Sequence, residues 1–151
     1  MPKSILKTTL SLPCAAEFVG VARLAVSGIA SRMKFTIEEI EDIKIAVSEV
    51  CTNVVQHAYG DKRNPYQDLI EIEINVHPDR LEILIKDKGQ GFDLKTLGSE
   101  EQKKKSEEKL GLGLGLTFVK TLMDDTEFSS KLGQGTVIRI IKKTSSPFSL
   151  S

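Results

Sequence analysis

Two runs of apolar alternation joined by a short turn constrain this chain more than any other feature. Ile70, Ile72, Ile74 and Val76 alternate with Glu71, Glu73 and Asn75, which gives a strand with one buried and one wet face. His77-Pro78-Asp79-Arg80 turns the chain back, and Leu81, Ile83 and Ile85 continue the buried face on a returning strand. Asp87 shares their parity, so a carboxylate is expected on the core side of a sheet. A hairpin with one apolar face needs a second layer to cover it.

The segments around the hairpin supply that layer. Thr36 and Glu39 have the spacing of a capping box, in which the hydroxyl takes an early amide and the carboxylate reaches back to the cap. The helix opened there is expected to run to about Tyr59, with Gly60 as its stop. Ile40, Ile43, Val47, Val50, Cys51, Val54 and Ala58 form its apolar stripe. Ile45, Ala46 and Val55 lie off the stripe, so the helix should meet a sheet on one side and a helix or ligand on another. Glu17 to Met33 reads as a further helix, with Phe18, Val21, Ala22, Ala25 and Ile29 inward and Gly20 and Gly28 admitting a close neighbour.

Ile5 to Leu12 alternates as a first strand ended by Pro13. Leu110 to Met123 begins with alternating glycines and becomes helical by Leu116. Thr126–Lys131 and Thr136–Ile141 read as strands around Gly133-Gln134-Gly135. Asp93 to Lys109 has no apolar period and is expected to be a mobile, solvated loop. The order predicts an α/β (α+β) two-layer sandwich, with a largely antiparallel mixed sheet covered on one face by helices. At 151 residues one domain fits, spanning 1–143, with 144–151 as a flexible tail.

Charge excludes more than it identifies. Acidic and basic side chains balance at 21 each, so no net field favours nucleic acid or an anionic membrane surface. No apolar run is long enough to span a bilayer, and the N-terminus has no signal-peptide core. Cys14 and Cys51 have no metal-ligand spacing and read as reduced, buried thiols of a cytoplasmic protein.

Four clusters exceed what a plain core requires. Glu49 and Asn53 lie one helical turn apart, about 40° around the axis, away from the main apolar stripe. A carboxylate and a carboxamide so placed can hold a hydrated Mg²⁺ and orient a nucleophile, although an exposed helix face shows the same pair. Asp87, followed by Gly89 and Gly91, ends a buried strand face where an unpaired carboxylate is costly. The amine of an adenine, with a bridging water, is one donor that meets the need; a turn capped by its own aspartate is another. Gly111, Gly113 and Gly115 precede a helix and can offer amides to phosphate, without being a dinucleotide fingerprint or a P-loop. Thr136, after Gly133-Gln134-Gly135, has the parity of Ile138 and Ile140 and should face inward, as an ordinary strand threonine also would.

Taken together and in this order, these clusters resemble the GHKL ATP-binding superfamily of gyrase, histidine kinase and MutL-type sites. The runs Val19–Leu24, Glu38–Tyr59 and Leu122–Asp125 are similar to anti-sigma-factor serine kinases of the RsbW and SpoIIAB type. The resemblance implies that ATP and Mg²⁺ are bound, Mg²⁺ through Asn53, and that Glu49 is the general base toward a serine hydroxyl. It implies that Asp87 reads adenine in a pocket shaped by Gly89 and Gly91. Gly111, Gly113 and Gly115 would hinge a lid over the phosphates, and Thr136 would support the adenine end.

The implied partners are an anti-anti-sigma protein of the STAS-domain type, an RNA polymerase sigma factor and a second copy of the chain, with Arg23 contacting the first two. The lid segment Glu100 to Lys109 departs from the family pattern, and Lys109 is the residue offered there for the γ-phosphate. His57 reads as structural. The alternatives are a partner-binding module that holds ATP without transferring phosphate, and a histidine-kinase-like ATPase domain.

Overall fold

In the computed structural model the described residues are 5–59, 64–89, 113–131 and 133–146. The chain runs β1 (Leu6–Pro13), a 3₁₀ turn (Ala16–Phe18), α1 (Val19–Ala30), α2 (Ile37–Asn53), a π-helical turn (Val54–Ala58), β2 (Leu69–Val76), β3 (Arg80–Asp87), α3 (Gly113–Leu122), β4 (Asp125–Lys131) and β5 (Gly135–Lys143). The five strands form one sheet in the order β1-β2-β3-β5-β4, and all four pairings are antiparallel. The expected Gly60 stop and the Asp93–Lys109 loop lie outside the described residues.

The central hairpin behaves as its alternation requires. Ile72 faces Ile85 and Ile74 faces Ile83 across β2 and β3, and Ile83 and Ile85 face Ile140 and Ile138 across β3 and β5. These isoleucines are all buried and form the floor of the core. β-branched side chains opposite one another on a pleated face pack well, which is why this register is fixed. Pro13 lies within β1 instead of beyond it, paired with Leu69. β1 is an edge strand, where a missing N–H costs no ladder bond.

The helices cover one face. Thr36 caps α2 with both halves of the capping box: its Oγ accepts from the Glu39 N–H at 3.1 Å, and the Glu39 carboxylate accepts from the Thr36 N–H at 2.9 Å. Ile43, Val47, Val50, Cys51 and Val54 are buried on the predicted stripe. Ala46 on α2 and Val55 on the π turn are buried too, so the helix is enclosed on more than one side, but Ile45, the third residue of the expected second apolar side, is 39% exposed.

α1 differs from its reading. Its buried residues are Ala22, Val26 and Ala30, one turn apart, while Phe18, Val21 and Leu24 are exposed, Leu24 by 68%. Small residues bring α1 close to α2, and the larger apolar side chains are left outside. The two α1 glycines are not forced by packing either: a Cβ on Gly28 would meet nothing within 4 Å, and one on Gly20 only the Arg23 side chain at 3.8 Å.

The sheet face without helices is not simply wet. Asn75 and His77 are buried there. Asn75 donates to Glu73 and to Glu82, each at 2.9 Å, and the Arg139 Nε donates to Glu82 at 2.6 Å. Lys7 and Lys86 pair with Glu73 at 3.3 and 3.6 Å. Long polar side chains roof this face, so an asparagine at a predicted wet position is covered. Thr144, at the start of the expected tail, still donates its N–H to the Asp79 carbonyl at 2.9 Å.

Candidate functional site

The C-terminal end of α2 and the end of β3 converge. Between them is a cleft, open to solvent and lined by Asn53, Val54, His57, Ala58, Asp87, Thr136 and Ile138. Three residues singled out from sequence therefore share one wall system: Asn53 from the helix, Asp87 from β3 and Thr136 from β5.

Asp87 is 7% exposed. Burial raises its pKa, against which backbone N–H groups of Gly89 and Thr136 bonded to the carboxylate act to lower it. The Gly89 N–H reaches Oδ1 at 2.9 Å. Thr136 faces Asp87 in the β3–β5 register, and its hydroxyl lies 3.2 Å from that of Ser130. Two backbone bonds leave a carboxylate with acceptor capacity to spare. A ligand amine in the cleft would use it.

The glycines on either side are fixed by close approach. A Cβ on Gly89 would lie 2.0 Å from the Ala58 carbonyl oxygen, so only glycine lets this segment lie on the helix end. Gly135, with φ at +84°, would put a Cβ 2.0 Å from the Asp87 carbonyl oxygen. Gly135 was not among the sequence candidates; its Gly-Gln-Gly setting read as an ordinary hairpin turn.

Glu49 and Asn53 meet the start of α3. A Cβ on Gly115 would lie 2.9 Å from Asn53 Nδ2, 3.4 Å from Glu49 Oε2 and 3.6 Å from Asn53 Oδ1. The carboxylate, the carboxamide and the helix carrying the glycine run are thus in contact around one point. Gly113 begins α3. Gly91, Gly111 and Lys109 lie outside the described residues. Arg23 is exposed on α1, flanked by exposed Val21 and Leu24, and does not line the cleft.

Among the described residues no group of three or more His, Cys, Asp or Glu could hold a metal ion alone. Mg²⁺ needs no such cage when phosphates and water supply most of its oxygens. The Asn53 amide oxygen beside the Glu49 carboxylate is a hard-oxygen donor set that fits this ion.

Sequence reasoning missed Val54, Ala58 and Ile138 as cleft walls and took His57 as structural. The helical pattern continues through Val54–Ala58, but the backbone there widens to a π turn. That change of pitch re-aims the residues after Asn53, and no residue type announces it. Both cysteines are buried and outside any disulfide, and burial pushes the Cys51 thiol up to about 12. No helix among the described residues is long and apolar enough to cross a membrane.

Known proteins resemble this chain in sequence and in fold. The family described as "Histidine kinase-like ATPase domain" matches residues 12–142. The serine-protein kinase RsbW of Halalkalibacterium halodurans is 42% identical over 82% of this chain and 76% of its own. That of Bacillus subtilis is 41% identical over 82% of this chain and 78% of its own. A crystal structure of RsbU and RsbW domains from Mycobacterium tuberculosis superposes with a TM-score of 0.66 at 17% identity, covering 94% of this chain and 33% of that one. The mycobacterial sensor histidine kinase MprB gives 0.53 at 17% identity, over 95% of this chain and all of that one. At such identities the two structures speak for the fold alone.

Proposed function

The chain belongs to the histidine kinase-like ATPase domains and, within them, to the RsbW family of serine-protein kinases, and from that premise we propose that it binds Mg-ATP in the Asn53–Asp87 cleft and phosphorylates a serine of a partner protein. One observation carries the reading. Asn53 shares the cleft wall with Asp87, and with Glu49 it lies against Gly115 in the first turn of the glycine-led helix. A purine held at Asp87 then extends its phosphates toward Glu49.

In this reading Asp87 accepts the adenine amine, Gly89 and Gly91 shape the ring's slot, and Thr136 supports the same end. Asn53 holds the metal. Gly111, Gly113 and Gly115 allow the segment before α3 to close over the phosphates, with amides directed at them. Mg²⁺, when bound, neutralises charge on the phosphate oxygens. The serine Oγ forms a bond to the γ-phosphorus as the bond to the bridging oxygen of the β-phosphate breaks. The serine proton passes to the Glu49 carboxylate, leaving ADP and phosphoserine. Most of the rate enhancement is positioning and charge stabilisation.

The partners belong to the proposal as well. The serine donor is an anti-anti-sigma protein of the STAS type, and the alternative partner is an RNA polymerase sigma factor held while the first is phosphorylated. Arg23, exposed between two apolar side chains on α1, suits a shared contact for both. A homodimer, a cytoplasmic location and a single unit over 1–143 complete the reading.

Transfer of label from γ-labelled ATP to a purified STAS partner tests it. The wild type should label one serine. Glu49→Gln should keep ATP affinity and lose transfer by roughly 10²-fold or more, whereas Asn53→Ala should lose both. Transfer by Glu49→Gln at the wild-type rate contradicts the base assignment. Absence of label with ATP bound leaves a partner-binding module in place of the kinase.

A further inference from the structure

Tyr59 follows the π turn, and its hydroxyl makes two bonds to backbone. It donates to the Leu69 carbonyl at 2.8 Å and accepts from the Lys88 N–H at 2.9 Å. The β2–β3 ladder ends with Ile70 opposite Asp87. Continuing that register sets Leu69 opposite Lys88, so their backbone groups would meet in the next rung. The Tyr59 oxygen stands between them instead.

We propose that Tyr59 is a positioning residue for the nucleotide pocket: its hydroxyl holds the β2–β3 ladder open by one rung and so fixes the Asp87–Gly89 segment where it reads a purine. The inference rests on the reading of Asp87 as the purine-recognition residue.

Three observations support it. The Lys88 amide is satisfied by a side chain from the helix end and not by β2, so the chain leaves the sheet toward the helix. Gly89 then lies against the Ala58 carbonyl, and its own N–H binds Asp87 Oδ1 at 2.9 Å. The same phenol thereby ties together the two walls of the cleft, one carrying Asn53, His57 and Ala58 and the other Asp87. Burial keeps the hydroxyl pKa above its ordinary value of 10.0, despite the opposing bond from Lys88, so it remains a donor at neutral pH. A phenylalanine would fill the same space and make neither bond.

The full chain carrying Tyr59→Phe tests this, with Tyr66→Phe as the matched control, since Tyr66 is 95% exposed. ATP and GTP affinities are measured by calorimetry, and KM and kcat by transfer to a STAS substrate. Tyr59→Phe should weaken ATP about tenfold, leave kcat within about twofold, and reduce the preference for ATP over GTP. Tyr66→Phe should change nothing. A lower melting temperature with unchanged ATP affinity and unchanged ATP-to-GTP ratio makes Tyr59 merely structural and overturns the proposal.

A wild type that does not bind ATP overturns the pocket reading, and this inference with it. Amide exchange on the wild type supplies a readout that no substitution can spoil. Saturating ATP should slow exchange at Lys88 and Gly89; unchanged exchange at both contradicts the proposal.

Discussion

Asp87 lies on the core side of β3, where ionising a carboxylate costs free energy that water would otherwise supply. Its pKa is raised from the ordinary 3.8. A raised carboxylate contributes stability that is present below the unfolded value and lost as pH rises through the folded one. At neutral pH the group is therefore a burden on the empty fold. Asp87→Asn should melt no lower than the wild type, while losing on the order of 2–3 kcal/mol of ATP binding, roughly 30- to 160-fold. Thermal melts and calorimetry on the same preparation check both halves. Wild-type ATP affinity should also begin to fall, on acidification, at a pH above the ordinary 3.8. Asp87 was legible because strand parity put it inward with its isoleucine neighbours. Gly135 was not, because its need arises from the Asp87 backbone on another strand.

At the level of elements, α2 does most to position the site, and its beginning and end were unequally readable. The capping box is local chemistry, and Thr36 and Glu39 form it as their spacing requires. Thr36→Ala should cost about 1 kcal/mol in chemical denaturation. The π turn at Val54–Ala58 is framed by tertiary contacts, among them Gly89 against Ala58 and Tyr59 bonded to Leu69 and Lys88, so no local pattern records it. The buried face of α1 was misjudged for a related reason. Phe18 and Val21, expected inward, are more hydrophobic than Ala22 and Ala30, but close approach of two helices selects small side chains. At α3, Gly115→Ala would place a methyl group 2.9 Å from Asn53 Nδ2. The amide must shift, so phosphate transfer should fall at least tenfold while the melting temperature changes little. A wild-type rate in that variant would contradict the contact.

Across the whole molecule, the two sheet faces divide the work. The helix-covered face holds the apolar core and, at one end, the cleft. The other carries the network of Glu73, Asn75, Glu82 and Arg139. For Glu82, burial pushes the pKa up, but bonds from Asn75 and Arg139 outweigh it and the pKa is lowered; for Glu73, the Asn75 bond leads the lowering. Lowered carboxylates contribute stability that is present above the unfolded value, ordinarily 4.5, and lost as pH falls through the folded one. Glu82→Gln should therefore cost about 1–2 kcal/mol at pH 7, and the difference from wild type should shrink as pH drops below 4.5.

The fold was readable at this scale because alternation and capping agree along the chain. The cleft was readable only as four separate weak patterns, joined by a resemblance, because nothing in a linear sequence states that the end of α2 meets the end of β3. The central claim is that this meeting makes a purine-nucleotide site. Calorimetric titration of Mg-ATP into the folded wild type tests it most directly. The account predicts saturable one-to-one binding that is weakened by EDTA and weakened in Asp87→Asn. A flat titration of the wild type, or equal binding by Asp87→Asn, contradicts it.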